Sequence, residues 1–532
     1  MSSLLANNND NPLIAALQDA SIYDHEVADV SIIETHISWV VLTGRYAYKI
    51  KKPIKFSFVD FSTLEKRRFY CNEEMRLNSR LAPNLYIGVV AITGSDENPS
   101  FDQSGDAIEY AVKMRQFPQP SLLSYLSVHN QLSQKNIDDM AREISDFHLR
   151  IDRVASNTML GSPEDIHHWV TDNFDQIVSN LTDNKSYSTL KSVKSWSENE
   201  YKKKYNQLQQ RRESKFIREC HGDMHLDNMV LIEDKVTIFD GIDFNEHLRW
   251  IDVISEIAFV IMDLSHRGHP EYASRFLNLY LQHTGDYEGL SVLKYYLVYR
   301  AVVRAKVALL RISQKSLSTI EQEMIQQEFN SYLTLASNYI SDNKNALIIT
   351  HGFSGSGKST HTEKLLESLS AIRIRSDIER KRLYGFESSE RTQSNINKGI
   401  YTAQSSKETY ERLADLSKII LTSGFTVIVD ACFLKHEIRQ KFYKLAEELK
   451  VPFIILDFQA SEDTLKQRIT LRAKNRLEPS EADLEVLQYQ LENHRPFKKQ
   501  EKPYVLVANT EKEIQVRQIA SAIKNHIDGL SI

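Results

Sequence analysis

Cysteine is scarce in this chain. Its three cysteines, Cys71, Cys220 and Cys432, lie far apart with no CxxC or Cys/His spacing. That argues against a disulfide scaffold or a zinc site and fits a reducing compartment. A charge excess is also missing: 66 basic and 71 acidic residues give a net charge of −5, so no global field favours nucleic acid or an anionic membrane, although a local basic groove is not excluded. Long apolar runs are absent too. The most apolar window, residues 254–264, is interrupted by Glu256 and Asp263, well short of the roughly 20 apolar residues a bilayer span needs. The first ten residues are polar and Asn-rich, with no basic stretch leading into an apolar one, which is unlike a signal peptide. These absences point to a cytoplasmic protein without a membrane segment. No internal repeat or low-complexity tract was found.

What is present suggests two domains. At 532 residues the chain exceeds one hydrophobic core. Residues 31–51 alternate like strands, with Gly44-Arg45 as a turn, and residues 61–81 repeat at helical spacing up to Pro83. Residues 86–93 and 107–117 read as two more strands. Amphipathic helices follow to about residue 338, broken by a strand pair between 229 and 240. After the polar stretch 341–345, strands at 346–350, 372–375, 426–429, 453–458 and 504–507 alternate with helices, as in a parallel α/β sheet. The boundary is placed near 343, giving domains 1–342 and 343–532.

The second domain carries GxxxxGK[ST]: Gly352, Phe353, Ser354, Gly355, Ser356, Gly357, Lys358 and Ser359, between the first of these strands and a helix from about Thr360. Glycines let backbone N–H groups wrap a phosphate, and the helix N-terminus adds partial positive charge. Lys358 would reach the β- and γ-phosphates of ATP, and the Ser359 hydroxyl would ligate Mg²⁺. Asp377, at the end of the next strand, reads either as a general base for an incoming hydroxyl or as a helix cap. Asp430, after residues 427–429, reads either as a metal-water holder or as an ordinary strand-end carboxylate. Arg468, Arg472 and Arg476 share one helical face, which could close over the transferring phosphate or simply face solvent.

This P-loop, the Asp377/Arg380 pair and the arginine run continuing to Ser480 and Asp483 resemble the small P-loop kinases related to polynucleotide kinase and zeta toxin. The resemblance implies Asp377 as base and Arg380 as a substrate or phosphate contact.

In the first domain, HGDMHLDN places Asp223 and Asn228 five residues apart. That is the spacing of a kinase catalytic loop, where Asp takes the hydroxyl proton and Asn binds magnesium. A hairpin then returns the chain to Asp240-Gly241, offering Asp240 as a second metal ligand, with Asp243 as its competitor. Lys49 ends the third strand, and Glu74 on the following helix is its expected ion-pair partner, ahead of Glu73. Read alone, Lys49 also fits a surface basic run with Lys52 and Lys55. His225, Arg300 and Arg304 read as structural. Residues 110–117 would form the hinge strand that meets adenine. No G-x-G-x-x-G lies between the first two strands; the loop there is Thr35-His36-Ile37-Ser38.

HGDMHLDN followed by FDG resembles the aminoglycoside phosphotransferase and choline kinase-like family. Residues 34–53, 67–83 and 239–264 are similar to a bacterial group that fuses such a domain to a P-loop domain. The fold implied is α/β and α+β: a bilobal, protein-kinase-like N-terminal domain followed by a parallel-sheet P-loop kinase domain. The leading expectation is an ATP- and Mg²⁺-dependent phosphotransferase acting on small-molecule hydroxyl acceptors. A nucleotide switch in one domain ranks second and an RNA-repair or toxin activity third, with nucleic acid not favoured as a partner.

Overall fold

The structure, a computed structural model, describes residues 11–56, 59–101, 105–181, 184–312, 317–341, 344–387, 390, 400, 402–473, 483–512 and 516–529; the side chains at 184–185, 472–473 and 528–529 are outside that description. The chain divides into two compact units that are not consecutive in sequence. One comprises residues 1–181, 205–267 and 300–316, the other 182–204, 268–299 and 317–532. The division therefore differs from the sequence boundary near 343, because three helical stretches from before that point pack with the P-loop unit.

In the first unit, β1 (Ser31–Glu34), β2 (Ser38–Leu42), β3 (Tyr46–Lys51), β4 (Tyr86–Gly94) and β5 (Glu109–Arg115) form an antiparallel sheet in the order β1-β2-β3-β5-β4, extended by the short strand Pro99–Ser100. Alternation buries Tyr48, Ile50 and Ala111 on one face with Leu13, Ile14 and Leu17. On the other, Ala47, Val112 and Met114 meet Cys71 of α1 (Leu64–Asn78). Thr63 caps α1 by accepting the N–H of Lys66. β3 runs two residues past Lys49, which therefore sits inside the strand rather than at its end; Ile50 and Lys51 are both buried and prolong the ladder. The hairpin β6 (Met229–Ile232) and β7 (Lys235–Ile238) follows the catalytic-loop motif, and α2 (Val253–His266) is buried over nearly its whole length.

In the second unit, β8 (Leu347–His351), β9 (Ile372–Arg375), β10 (Val427–Asp430), β11 (Phe453–Gln459) and β12 (Val505–Asn509) make an all-parallel sheet ordered β9-β10-β8-β11-β12. Continuous apolar strands such as 346–349 suit a sheet covered on both faces. α4 (Lys358–Leu369) packs Leu365 and Leu366 onto Ile348, Ile428 and Ile454. The edge strand β9 is covered by α3 (Pro270–Thr284): Asn278 donates its amide to Ala371 O and accepts from Arg373 N. One side chain thus stands in for a neighbouring strand, satisfying an edge that would otherwise be unpaired.

Candidate active sites of the two units

In the first unit the strand, helix and hairpin converge on one lysine. Lys49 Nζ lies 2.8 Å from Glu74 Oε1 and makes a short ion pair with Asp240 Oδ1. Burial alone would depress the Lys49 ammonium, but Asp240 and Glu74 more than reverse it and hold it well above its ordinary value. Glu73, in contrast, pairs with Arg76. Lys51, two residues on and so on the same face, carries a second charge inward: its Nζ is 2.8 Å from Glu74 Oε2 and 2.5 Å from Asp243 Oδ2. Burial raises the Glu74 carboxyl, and the two lysines reverse this, leaving it at about 2. Asp243 is therefore engaged with Lys51, and burial raises its carboxyl despite that lysine. Asp240, with 24% of its side chain exposed, is the aspartate that remains open.

Asp240 occupies the left-handed region at φ +63°, a conformation a non-glycine residue keeps only when its surroundings over-determine it. They do so here. Its N–H donates to the buried Tyr86 hydroxyl, and the next N–H, of Gly241, donates to Asn78 Oδ1 on α1.

The loop that carries Asp223 and Asn228 is held as firmly. Asn228 donates from Nδ2 to Asp223 O and Oδ2 at 2.9 and 3.1 Å. His225 Nε2 is 3.2 Å from the same Oδ2. Burial raises the Asp223 carboxyl, yet His225 and then Arg304 hold it below its ordinary value, so it stays ionised. Glu256 and Asp263, the charges that interrupt the apolar helix, prove to be its clamps: Glu256 Oε1 accepts Gly222 N at 2.6 Å and Asp263 Oδ2 accepts Leu226 N at 2.9 Å. His148 braces Glu256 from behind at 2.8 Å. Arg300 donates to Ser255 O and Gly222 O, the structural role expected of it. The loop at Thr35–Ser38 closes on itself, Thr35 Oγ1 accepting from Ser38 N.

In the second unit the P-loop joins β8 to α4, which begins at Lys358, two residues earlier than the sequence reading. At Gly352 (φ +142°) a Cβ would meet Phe458 O at 2.6 Å, so only glycine lets the backbone pass β11. Lys358 Nζ donates to Gly352 O and Phe353 O at 2.9 and 2.8 Å, folded into the loop it serves. Ser354 N is taken by Gln490. Ser356 is buried in the loop, while Ser359 and Thr360 open α4. Asp377 lies in the first turn of α5 (Ser376–Leu383), whose N-cap is Arg375, so the capping alternative does not apply. Its Oδ1 is 3.6 Å from Arg380 Nη1. Asp430 ends β10 in register with Arg375.

Of the arginine row, Arg468 on α6 (Glu462–Ala473) donates to Thr510 Oγ1 at 2.8 Å, to Thr510 O at 2.7 Å and weakly to Gly355 O at 3.4 Å. That ties α6 to the P-loop and to the end of β12. Arg472 is in the same helix with its side chain outside the described residues, and Arg476 and Ser480 fall outside them altogether.

Among the buried oxygens of the described residues that make no hydrogen bond are Asn228 Oδ1 and Asp430 Oδ2, one in each candidate site. Buried acceptors are rarely left so, and each fits a Mg²⁺ ligand or a ligand of its water shell. The P-loop backbone with Lys358, and Lys49 on its carboxylates, fit the phosphates of a nucleotide. Lys51, Asn78, Tyr86 and the Glu256 and Asp263 clamps escaped the sequence reading. The i, i+2 spacing of Lys49 and Lys51 was the one signal that could have found any of them.

Residues 106–293 match the model of the phosphotransferase enzyme family, and residues 347–497 match that of the AAA domain. Uncharacterized proteins of Mycobacterium tuberculosis and Mycobacterium bovis are each 26% identical over 458 residues, spanning 86% of this chain and 89% of theirs. Among solved structures, an amicoumacin kinase in complex with AMP-PNP, Ca²⁺ and Ami is similar at 13% identity and TM-score 0.39, over 60% of this chain and 91% of that one. Kti12 of Chaetomium thermophilum in complex with ADP-AlF3 is similar at 18% identity and TM-score 0.27, over 34% of this chain and 98% of that one. No helix among the described residues is long and apolar enough to cross a membrane. Within one chain, a segment that matches the phosphotransferase enzyme family thus precedes a P-loop segment that matches the AAA domain, a pairing that supports a kinase-like, ATP-using function.

Proposed function

We propose that each domain transfers the γ-phosphoryl group of Mg-ATP to a hydroxyl group of a small molecule. The observation that carries this reading is the convergence of Lys49 on both Glu74 and Asp240, beside an Asp223/Asn228 pair linked through one carboxylate oxygen. Bound Mg-ATP supplies the phosphoryl group and the metal charge that offsets it in transfer. In the first domain Asn228 and Asp240 would hold the metal, and Lys49, kept charged by Glu74, would hold phosphate. Asp223, ionised and 38% exposed, takes the proton of the acceptor hydroxyl. In the second domain Gly352, Ser354, Gly355, Ser356, Gly357, Lys358 and Thr360 would cradle the phosphates, Ser359 and Asp430 the metal, and Asp377 serves as base. Arg380 orients Asp377 or the acceptor, and Arg468 braces the P-loop.

The test is transfer from γ-labelled ATP into fractionated metabolite and RNA extracts, with wild type, Asp223→Ala and Lys358→Ala. Two labelled small-molecule products, each lost in a different variant, are expected. Labelled RNA ends would move the second domain to nucleic-acid repair. Phosphate release alone, untouched by one of the variants, would make that domain a nucleotide sensor.

A further inference from the structure

A cavity of about 100 Å³ opens between α3, α4 and the edge strand β9, lined by Arg275, Arg373, Arg375, Gln282, Glu363 and Glu367 among others. That is room for a few waters, at roughly 30 Å³ each in the liquid, or for one small oxyanion. Arg275 Nη1 is 3.0 Å from Glu363 Oε1, and Arg373 Nη2 is 3.9 Å from Glu363 Oε2, so one carboxylate serves two guanidiniums. Burial raises the carboxyl of Glu367, which also lines the cavity.

Arg375 is the outlier. Only 12% of its side chain is exposed, yet among the described residues it makes no hydrogen bond, and its one ion pair is with Asp430 Oδ2 at 3.8 Å. Alternation puts it on the same face of β9 as Arg373. Arg373 Nη1 donates to Ser359 O at 2.8 Å and to Thr362 Oγ1 at 3.2 Å. A nearly buried guanidinium with its fork unfilled, next to a second one that shares its counter-ion, is suited to a planar or tetrahedral oxyanion.

We propose that this cavity binds an oxyanion group, phosphoryl or carboxylate, of a small ligand, with Arg375 as its principal contact and Arg275 and Arg373 beside it. Because Arg275 and Gln282 lie on α3, the P-loop sheet would recruit this ligand with residues that precede its own first strand by about 70 positions. The site does not depend on Asp377 acting as a base.

Equilibrium dialysis of labelled inorganic phosphate against the full chain tests it, with acetate as competitor. Phosphate bound by wild type should be weakened at least tenfold in Arg375→Gln and in Arg275→Gln, and retained in Lys358→Ala, which disables the P-loop instead. Displacement by acetate at matched concentration would assign a carboxylate ligand, and resistance to it a phosphoryl one. Equal binding by Arg375→Gln and wild type would overturn the proposal, as would parallel loss in Lys358→Ala, which would make the cavity an arm of the P-loop.

Discussion

Asn278 Oδ1 accepts the backbone N–H of Arg373 at 2.8 Å, across 95 positions of sequence. With the amide donated to Ala371 O, the helix that precedes the P-loop domain closes the edge of its sheet. A fragment of residues 343–532 would expose that edge and lose Arg275 from the cavity. It should self-associate in size-exclusion chromatography, whereas the full chain carrying Asn278→Ala should remain folded but be destabilised by about 1–3 kcal/mol, from two buried backbone groups left unpaired. A monomeric, cooperatively unfolding 343–532 fragment would refute this role for α3.

Glu74 is the single carboxylate between two buried lysines. Replacing it with glutamine leaves both ammoniums short of charge and should lower unfolding free energy by about 3–5 kcal/mol, read from urea denaturation. Lys51→Met should be milder when combined with Asp243→Asn than the single changes add up to, since the two are direct partners.

The same residue sets an acid limb. Its folded value, about 2, lies below the roughly 4.3 of an unfolded glutamate, so the folded state favours the ionised form. That stabilisation is fully present above about pH 4.3 and disappears as pH falls through about 2, a change on the order of 2–3 kcal/mol. Stability measured between pH 5 and pH 2 should therefore drop less steeply in Glu74→Gln than in wild type.

Glu256 receives the N–H of Gly222, immediately before Asp223. Glu256→Gln keeps an acceptor oxygen but loses charge and its hold on His148. Transfer by the first domain should fall about tenfold to a hundredfold, mostly in kcat and with the KM for ATP little changed, since a misplaced base acts on the chemical step. A rise in KM alone would show that the clamp shapes the nucleotide site instead.

Asp223→Asn removes the proton acceptor while preserving the hydrogen bond to Asn228. First-domain transfer should drop by about 10² to 10⁴, with nucleotide affinity, measured by calorimetry, within a few-fold of wild type.

Much of both candidate sites was legible because it is local. The P-loop needs glycines and a lysine at set intervals ahead of a helix, and Asp223, Asn228 and Asp240 are joined by a short loop and a hairpin whose pattern shows in the residues themselves. Lys49 and Glu74 were matched only through a kinase-like order of elements. The surface reading of Lys49 failed because residues 49–55 do not share one face: Lys49 and Lys51 point inward, while Lys55 is 73% exposed. Arg468 shows a related limit. A four-residue spacing gives the face of a helix but not what that face meets, and here it meets Thr510.

The sequence by itself determined the two kinase-like motifs, their order along the chain, and the parallel sheet of the second domain, since each rests on spacing within a few dozen residues. Only the tertiary structure decided which aspartate stays open beside Lys49, what Glu256 and Asp263 hold, and that a helix from before residue 343 completes the P-loop sheet. Those outcomes depend on side chains brought together from distant positions, where burial makes every unmatched charge or backbone group costly and so selects one pairing among many that the sequence alone permits.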